Sequence, residues 1–157
     1  MTTAAERLWD ELETMGFEKE ERPDGYLPAL PLDITELTDQ ELMVLYGQYV
    51  SWTAYAAARL VEARANEKAA KQNLNHSLAT ASLNASMEKT VAGRKAAAAA
   101  DSRVQADEEK HVAALSLCEA LDMVHSNAEA RASFCSRDLS RRQNTRDTET
   151  RSHRWGV

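Results

Sequence analysis

The fold of this chain is decided in residues 22–43, which read RPDGYLPALPLDITELTDQELM. All three prolines, at positions 23, 28 and 31, lie in the first ten of these residues, and no proline occurs between residues 32 and 157. Proline stops helices because it lacks a backbone N–H and clashes with the preceding turn. The distribution therefore predicts an irregular segment over residues 22–37, called the strap below, followed by a long stretch that is free to form helix.

The end of this segment carries a helix-start signal. Thr38 and Glu41 have the spacing of a capping box, in which each side chain bonds the backbone N–H of the other residue. Leu37 and Leu42 flank the pair at the positions of a hydrophobic staple, which fixes the direction in which the chain enters a helix. We therefore predict that a long helix begins at Asp39.

Apolar residues after this start recur at steps of three and four, the spacing of a buried helix face. Others, including Val44 and Val50, lie off that face, so one partner helix would leave part of the surface uncovered. The region also holds four of the aromatic residues, which could stack on unpaired bases if exposed, but their helical spacing favours packing. The residues predicted to form the core or a subunit interface are Leu42, Leu45, Tyr46, Tyr49, Trp52, Tyr55 and Leu60.

The long helical stretch is expected to reverse, because a single helix from Asp39 to Arg142 would be about 155 Å long. Asn, Ser and Thr favour turns and are dense around residues 76–87, where we place the reversal; Gly93 is the competing position. The returning helix has an apolar face made of Ala114, Leu117, Leu121, Val124, Ala128, Cys135 and Leu139. The sequence predicts an all-α fold built on a long, antiparallel, coiled-coil-like helical hairpin.

Four segments follow from this interpretation. Residues 1–21 are predicted to form a short, acidic, amphipathic helix that ends near Gly16, and residues 22–37 form the strap. Residues 38–142 form the hairpin, and residues 143–157 form a polar, arginine-containing tail.

The composition predicts a thin core. Alanine dominates the apolar residues, and the only phenylalanines are Phe17 and Phe134. Ala-rich helices form readily but bury little surface, so we expect a homo-oligomer in which copies cover one another. No apolar run reaches the roughly 18 residues of a membrane span, and the N-terminus is acidic where a signal peptide would be basic. A soluble protein with reduced cysteines and no membrane partner is therefore expected.

Charge is distributed unevenly along the chain. The formal net charge is −6, but residues 131–157 contain seven arginines against three acidic residues. On a helix, guanidinium groups one turn apart could bind phosphates, as a single-stranded nucleic acid would require. The alternative is a solvated helix end, where cations meet the helix dipole and Asp138 pairs with Arg142. The candidate nucleic-acid-binding residues are Arg131, Arg137, Arg141, Arg142 and Arg146.

Catalytic and metal signatures are weak. Cys118, Asp122, His125 and Glu129 could share one side of a helix, but a tetrahedral metal site needs ligands from a second element, so we interpret them as structural. The five glycines form no phosphate-binding loop, and no nucleophile–base set follows from spacing. We expect no enzyme activity, no metal and no cofactor.

Two segments carry a family resemblance: LMVLYGQYVSWTAY, from residue 42, and ALDMVHSNAEARASFCSRDLSRR, which ends at residue 142. With the acidic first helix, their order resembles the UvsY-type recombination mediators of tailed bacteriophages over roughly residues 39–142. The resemblance implies helical hairpins that assemble into rings, bind single-stranded DNA and help load a recombinase while displacing single-strand-binding protein. It assigns packing to Tyr46, Tyr49 and Trp52, and DNA contact to Arg131, Arg137 and Arg141.

The expected function is therefore that of a phage accessory protein in the cytoplasm of an infected bacterium. Its expected partners are further copies of itself, single-stranded DNA, and a recombinase or other phage proteins. The alternative is a structural or assembly component of the virion head, neck or tail that acts through protein contacts alone.

Overall fold

The computed structural model describes residues 2–155, apart from the side chains of residues 86 and 152–155. The described chain is helical and contains no strand, which confirms the all-α character of the predicted fold. Its helices are α1 (Ala4–Thr14), α2 (Asp39–Asn84), α3 (Val91–Ala99) and α4 (Ser102–Trp155), with 3-10 turns at Ile34–Glu36 and Ala85–Met87. None of the described helices combines the length and apolar character that a membrane crossing requires.

The chain divides into two compact units. The first unit comprises Met1–Lys19 and Ala58–Asp122, and the second comprises Glu20–Ala57 and Met123–Val157. Helices α2 and α4 each contribute one part to both units.

In the second unit, α2 begins at Asp39 as predicted. The Thr38 hydroxyl accepts a hydrogen bond from the Glu41 N–H at 3.2 Å, and the Glu41 carboxylate accepts one from the Thr38 N–H at 2.8 Å. Both halves of the capping box are therefore present. Leu37 and Leu42 both belong to the core that lies behind this start.

The core of the second unit joins the strap to both long helices. Its fully or largely buried members are Ile34, Leu42, Tyr49, Ala132 and Cys135, with Leu27, Leu37, Leu45, Tyr46 and Leu139 packed around them. In this unit α2 and α4 are antiparallel, since Asp39 pairs with Arg146 whereas Tyr49 lies beside Arg131.

The predicted core residues differ in how far they are buried. Leu42 and Tyr49 are completely covered, whereas Leu45 and Tyr46 are half-buried. Trp52 and Tyr55 are also half-buried, and their rings meet edge to face, with centroids 5.8 Å apart. Leu60 is buried within the first unit. A role for these residues at a subunit interface stays a prediction.

The first unit has a core of small residues. Ala81, Ala98 and Val104 are buried, and Leu74 and Leu78 pack against them. Polar pairs link α2 to α4 here: Arg64 with Asp122 at 3.0 Å, Glu67 with His111 at 2.9 Å and Ser77 with Asp107 at 2.5 Å. The low bulk of this core agrees with the alanine-rich composition.

The predicted turn at residues 76–87 is wrong for most of its length. Helix α2 continues to Asn84, because hydroxyl groups such as that of Thr80, which donates to the His76 carbonyl at 2.9 Å, are satisfied within the helix. The connection between α2 and α4 spans residues 85–101 and contains α3. Gly93, the competing position, lies inside α3.

The first helix ends at Thr14, close to the predicted end near Gly16, since Gly16 has a φ of 89° that favours glycine and ends the helix. Residues 17–21 of the predicted segment lie beyond this end. The predicted tail at residues 143–157 is corrected, because the chain is helical through Trp155 instead; residues 156–157 of this prediction lie outside the described residues. No proline or glycine interrupts this stretch, and the Thr145, Thr148 and Thr150 hydroxyls bond carbonyls one turn back.

Candidate nucleic-acid interface

The C-terminal part of α4 carries the candidate arginines on two different faces. Arg131, Arg142 and Arg146 lie in line with the buried residues Ala128 and Cys135, and so face the strap and the start of α2. Arg137 and Arg141 lie on the opposite face of the helix. The helical spacing therefore places one set of arginines against the strap and directs the other set away from it.

Arg142 fastens the strap to α4. Its guanidinium donates to the carbonyl oxygens of Leu37 at 2.6 Å and Ile34 at 2.8 Å, and to the carboxylates of Asp39 at 3.1 Å and Asp138 at 2.8 Å. Its side chain is only 17% exposed. The hydrogen bond to Asp39, more than the other contacts, raises the pKa of Arg142, and these bonds leave it little capacity for a ligand.

Arg131 holds an earlier part of the strap. Its Nη1 donates to the Pro28 carbonyl at 2.7 Å, and its guanidinium carbon lies 6.0 Å from the centre of the Tyr49 ring. This geometry is a cation–π contact on the core. The resemblance assigned Arg131 to DNA, whereas here the side chain binds its own strap.

Asp138 organises the arginines that surround it. Its carboxylate is 8% exposed and accepts from Arg141 Nη2 at 2.6 Å and Arg142 Nε at 2.8 Å. Burial raises the pKa of Asp138, but the hydrogen bonds from both arginines outweigh burial and hold that pKa below its ordinary value. The pairing of Asp138 with Arg142 expected from the sequence is confirmed.

Four further arginines of this part of α4, namely Arg137, Arg141, Arg146 and Arg151, are exposed. Arg137 is exposed, and its Nε donates to the Ser133 carbonyl of its own helix at 3.3 Å. Arg141 is 66% exposed although it pairs with Asp138, and Arg151 is exposed. Arg146 is 68% exposed, but its Nη1 contacts Asp39 at 2.6 Å. A shallow groove follows this outward face, lined by Ser136, Arg137, Ser140, Arg141, Asn144, Thr145, Thr148 and Glu149.

An apolar groove lies between α2 and α4 of the second unit. It has a volume of about 670 Å³, and α2 lines it with Tyr46, Val50, Thr53, Ala54 and Ala57. Helix α4 contributes Glu129, Ala132, Ser133, Ser136 and Arg137. In the same unit Met43, Val44, Val50 and Phe134 are exposed, so apolar surface remains uncovered where the sequence predicted an oligomer interface.

The residues considered as metal ligands have other surroundings. Asp122 pairs with Arg64 at 3.0 Å, and both cysteines are free thiols. Burial raises the pKa of Cys118, and the nearby carboxylate of Glu67 adds to this effect. In the part of the chain that the structure describes, no group of three or more His, Cys, Asp or Glu side chains is arranged to hold a metal ion.

Comparison of the chain with protein-family models, with curated proteins and with solved structures gave no match. The resemblance to the phage mediators therefore stays a hypothesis.

Sequence reasoning missed the strap-binding role of Arg131 and Arg142. A signal was present, because Arg131, Asp138 and Arg142 follow the spacing of the apolar face through Cys135 and Leu139. A charged residue in register with an apolar face must find partners as it is buried. The strap carbonyls and Asp39 are those partners.

Proposed function

We propose that this chain is a non-enzymatic, homo-oligomeric accessory protein of a bacteriophage that binds single-stranded DNA, in the manner of a recombination mediator. Each subunit is a long antiparallel helical hairpin, and the DNA lies along the outward face of α4. The observation that carries the proposal is the continuous helix through residue 155, which places Arg137, Arg141 and Arg151 on one side, away from the strap.

The charge of this region supports phosphate binding. Residues 128–151 contain six arginines and four acidic residues, whereas the whole chain has a net charge of −6. Arg131, Arg142 and Arg146 face the strap and the start of α2, so the ligand contacts are assigned to the outward-facing Arg137, Arg141 and Arg151. These three span about 21 Å of helix, which is the length of about six phosphates in a stacked strand.

The proposed assembly of copies explains how such a site could reach useful affinity. Three arginines on one subunit form a weak site, and repeating the site around an assembly raises the effective affinity without new contacts. The apolar groove at Val50 and the exposed Phe134 ring provide the surface that copies would cover.

The test is binding of a fluorescent oligothymidylate at several salt concentrations. We expect affinity to fall with salt, because phosphate contacts release counterions. Replacing Arg137, Arg141 and Arg151 together by Gln should weaken binding and reduce the salt dependence of log K by about 2, since each single-strand phosphate contact contributes about 0.7.

A matched control removes three exposed cations from the first unit by replacing Arg7, Arg59 and Arg64 with Gln. All three side chains are exposed, and the exposed Arg64–Asp122 pair contributes little to stability, so this variant should bind like the wild type. Absence of binding at low salt, or an affinity that does not change with salt, would contradict the proposal.

The second candidate is a structural or assembly component of the phage particle that works through protein contacts alone. The overall acidity and the occupation of Arg131 and Arg142 by the strap favour it. The triple Gln variant separates the candidates. Loss of DNA binding with intact oligomers supports the mediator, whereas loss of assembly supports the particle component.

A further inference from the structure

A polar pocket of about 350 Å³ lies in the first unit. Its lining residues are distant in sequence from the candidate arginines in the C-terminal part of α4. Helix α2 lines it with Asn73, His76 and Ser77, and helix α4 with Arg103, Ala106, Asp107 and Lys110. Apart from Ala106, each of these side chains can form hydrogen bonds, and only one is acidic. Converging hydrogen-bonding groups of this kind suit a charged ligand more than an apolar one.

Asp107 forms hydrogen bonds with two other residues that line the pocket. Its carboxylate accepts from the Ser77 hydroxyl at 2.5 Å and from Lys110 Nζ at 3.2 Å. The hydrogen bond from Ser77, with that from Lys110, lowers the pKa of Asp107. Both carboxylate oxygens of Asp107 therefore already accept hydrogen bonds. The ion pair with Asp107 positions the Lys110 ammonium beside the pocket, while 71% of the Lys110 side chain stays exposed.

The other donors around the pocket have spare capacity. Among the described residues, the side chains of Asn73, His76 and Arg103 have no hydrogen-bond or ion-pair partner, and all three are exposed. Among the lining residues, Arg103 and Lys110 outnumber Asp107, so the lining carries a net positive charge. An anion with several acceptor oxygens would use the guanidinium, ammonium, imidazole and amide donors together.

We infer that this pocket binds phosphate groups, with Arg103 and Lys110 as the main contacts and His76 and Asn73 as further donors. A phosphate of single-stranded DNA is the expected source, and in this respect the inference rests on the proposed function. The pocket then gives the first unit its own nucleic-acid contact.

The experiment compares two double variants in the oligothymidylate assay. Replacing Arg103 and Lys110 by Gln should weaken binding about tenfold and lower the salt dependence of log K by about 1.4, because two phosphate contacts are lost. The control replaces Lys68 and Arg94 by Gln; these are exposed cations of the same unit outside the pocket. It removes equal charge and should bind like the wild type.

A second measurement tests the pocket without DNA, and so independently of Arg137, Arg141 and Arg151. Inorganic pyrophosphate is titrated into wild-type protein and into the R103Q/K110Q variant, and the side-chain NMR signals of Arg103 and His76 are followed. Saturable shifts in the wild type, absent for His76 in the variant, support a phosphate site. If these appear but the oligonucleotide does not bind, the proposed function fails and the ligand is a free phosphate compound.

The two proposals can therefore fail separately. Suppose that the wild type binds DNA and that the variant with Arg137, Arg141 and Arg151 replaced by Gln binds more weakly. If R103Q/K110Q then binds like the wild type and pyrophosphate causes no NMR shifts, the pocket inference is overturned while the proposed function stands. Equal loss in both double variants would also overturn it, because general charge would then explain the effect.

Discussion

Arg142 shows how one side chain can decide the course of a proline-rich segment. It reaches the carbonyls of Ile34 and Leu37 and two carboxylates at once, which the planar, forked guanidinium allows and a single ammonium does not. Apart from the 3-10 turn at Ile34–Glu36, the strap has no regular backbone pairing of its own, so its position depends on such contacts and on the packing of Ile34 in the core.

We predict that Arg142→Lys loosens the strap although the charge is kept. The melting temperature should fall by several degrees, and chymotrypsin should cut after Tyr26, an exposed residue of the strap, faster than in the wild type. Arg137→Lys is the control, because Arg137 is exposed and bonds only a carbonyl of its own helix. Equal melting temperatures and equal cleavage rates for the two variants would contradict this role for Arg142.

Tyr49 carries a buried hydroxyl that has no hydrogen-bond partner in the structure, although its ring is completely covered. An unpaired buried hydroxyl costs free energy, and burial accordingly raises the pKa of Tyr49. The ring, in contrast, fills the core between Leu42 and Cys135.

We therefore expect Tyr49→Phe to leave the free energy of unfolding unchanged or to increase it by up to about 1 kcal/mol. Tyr49→Ala should lower it by about 3–5 kcal/mol, because it opens a cavity. Urea denaturation measures both values. A clear loss of stability in the Phe variant would show that the hydroxyl has a partner after all.

At the scale of elements, the start of α2 was predictable because its signals are local. Thr38 satisfies an N–H group that the first turn leaves unpaired. Thr38→Ala should therefore lower the free energy of unfolding by about 1 kcal/mol. Thr145→Ala, which removes an exposed hydroxyl inside α4, should change stability much less, and denaturant titration of the two variants compares them.

The end of α2 was not predictable in the same way. Asn, Ser and Thr density around residue 80 indicates a turn, yet Leu78 and Ala81 pack in the first unit and keep the segment helical. Packing between distant segments overrides weak local preference. The hydrogen-bond partners of the arginines could not be predicted from local sequence either. The acceptors of Arg131 and Arg142 lie about 100 residues earlier in the chain.

For the whole molecule, the composition correctly indicated sparse cores, and the uncovered apolar residues of the second unit are the physical basis for expecting assembly. Val50 is 44% exposed and lines the apolar groove of that unit. Placing a charge there should be tolerated by a monomer but should oppose contact between copies.

We predict that Val50→Glu shifts native mass spectra toward smaller species while the helical circular dichroism signal is kept. Met87→Glu is the control, because Met87 is 93% exposed in the connection that precedes α3. A wild-type protein that is monomeric at micromolar concentration, or a Val50→Glu variant with unchanged mass distribution, would contradict the assembly.

The two arginines that hold the strap contact only its main chain, since Arg131 and Arg142 donate to carbonyl oxygens of Pro28, Ile34 and Leu37. Every amino acid offers such an oxygen. Exposed strap positions such as Tyr26 and Leu32 are therefore open to evolutionary drift or to engineered insertion of a tag, provided that the two helix arginines are retained.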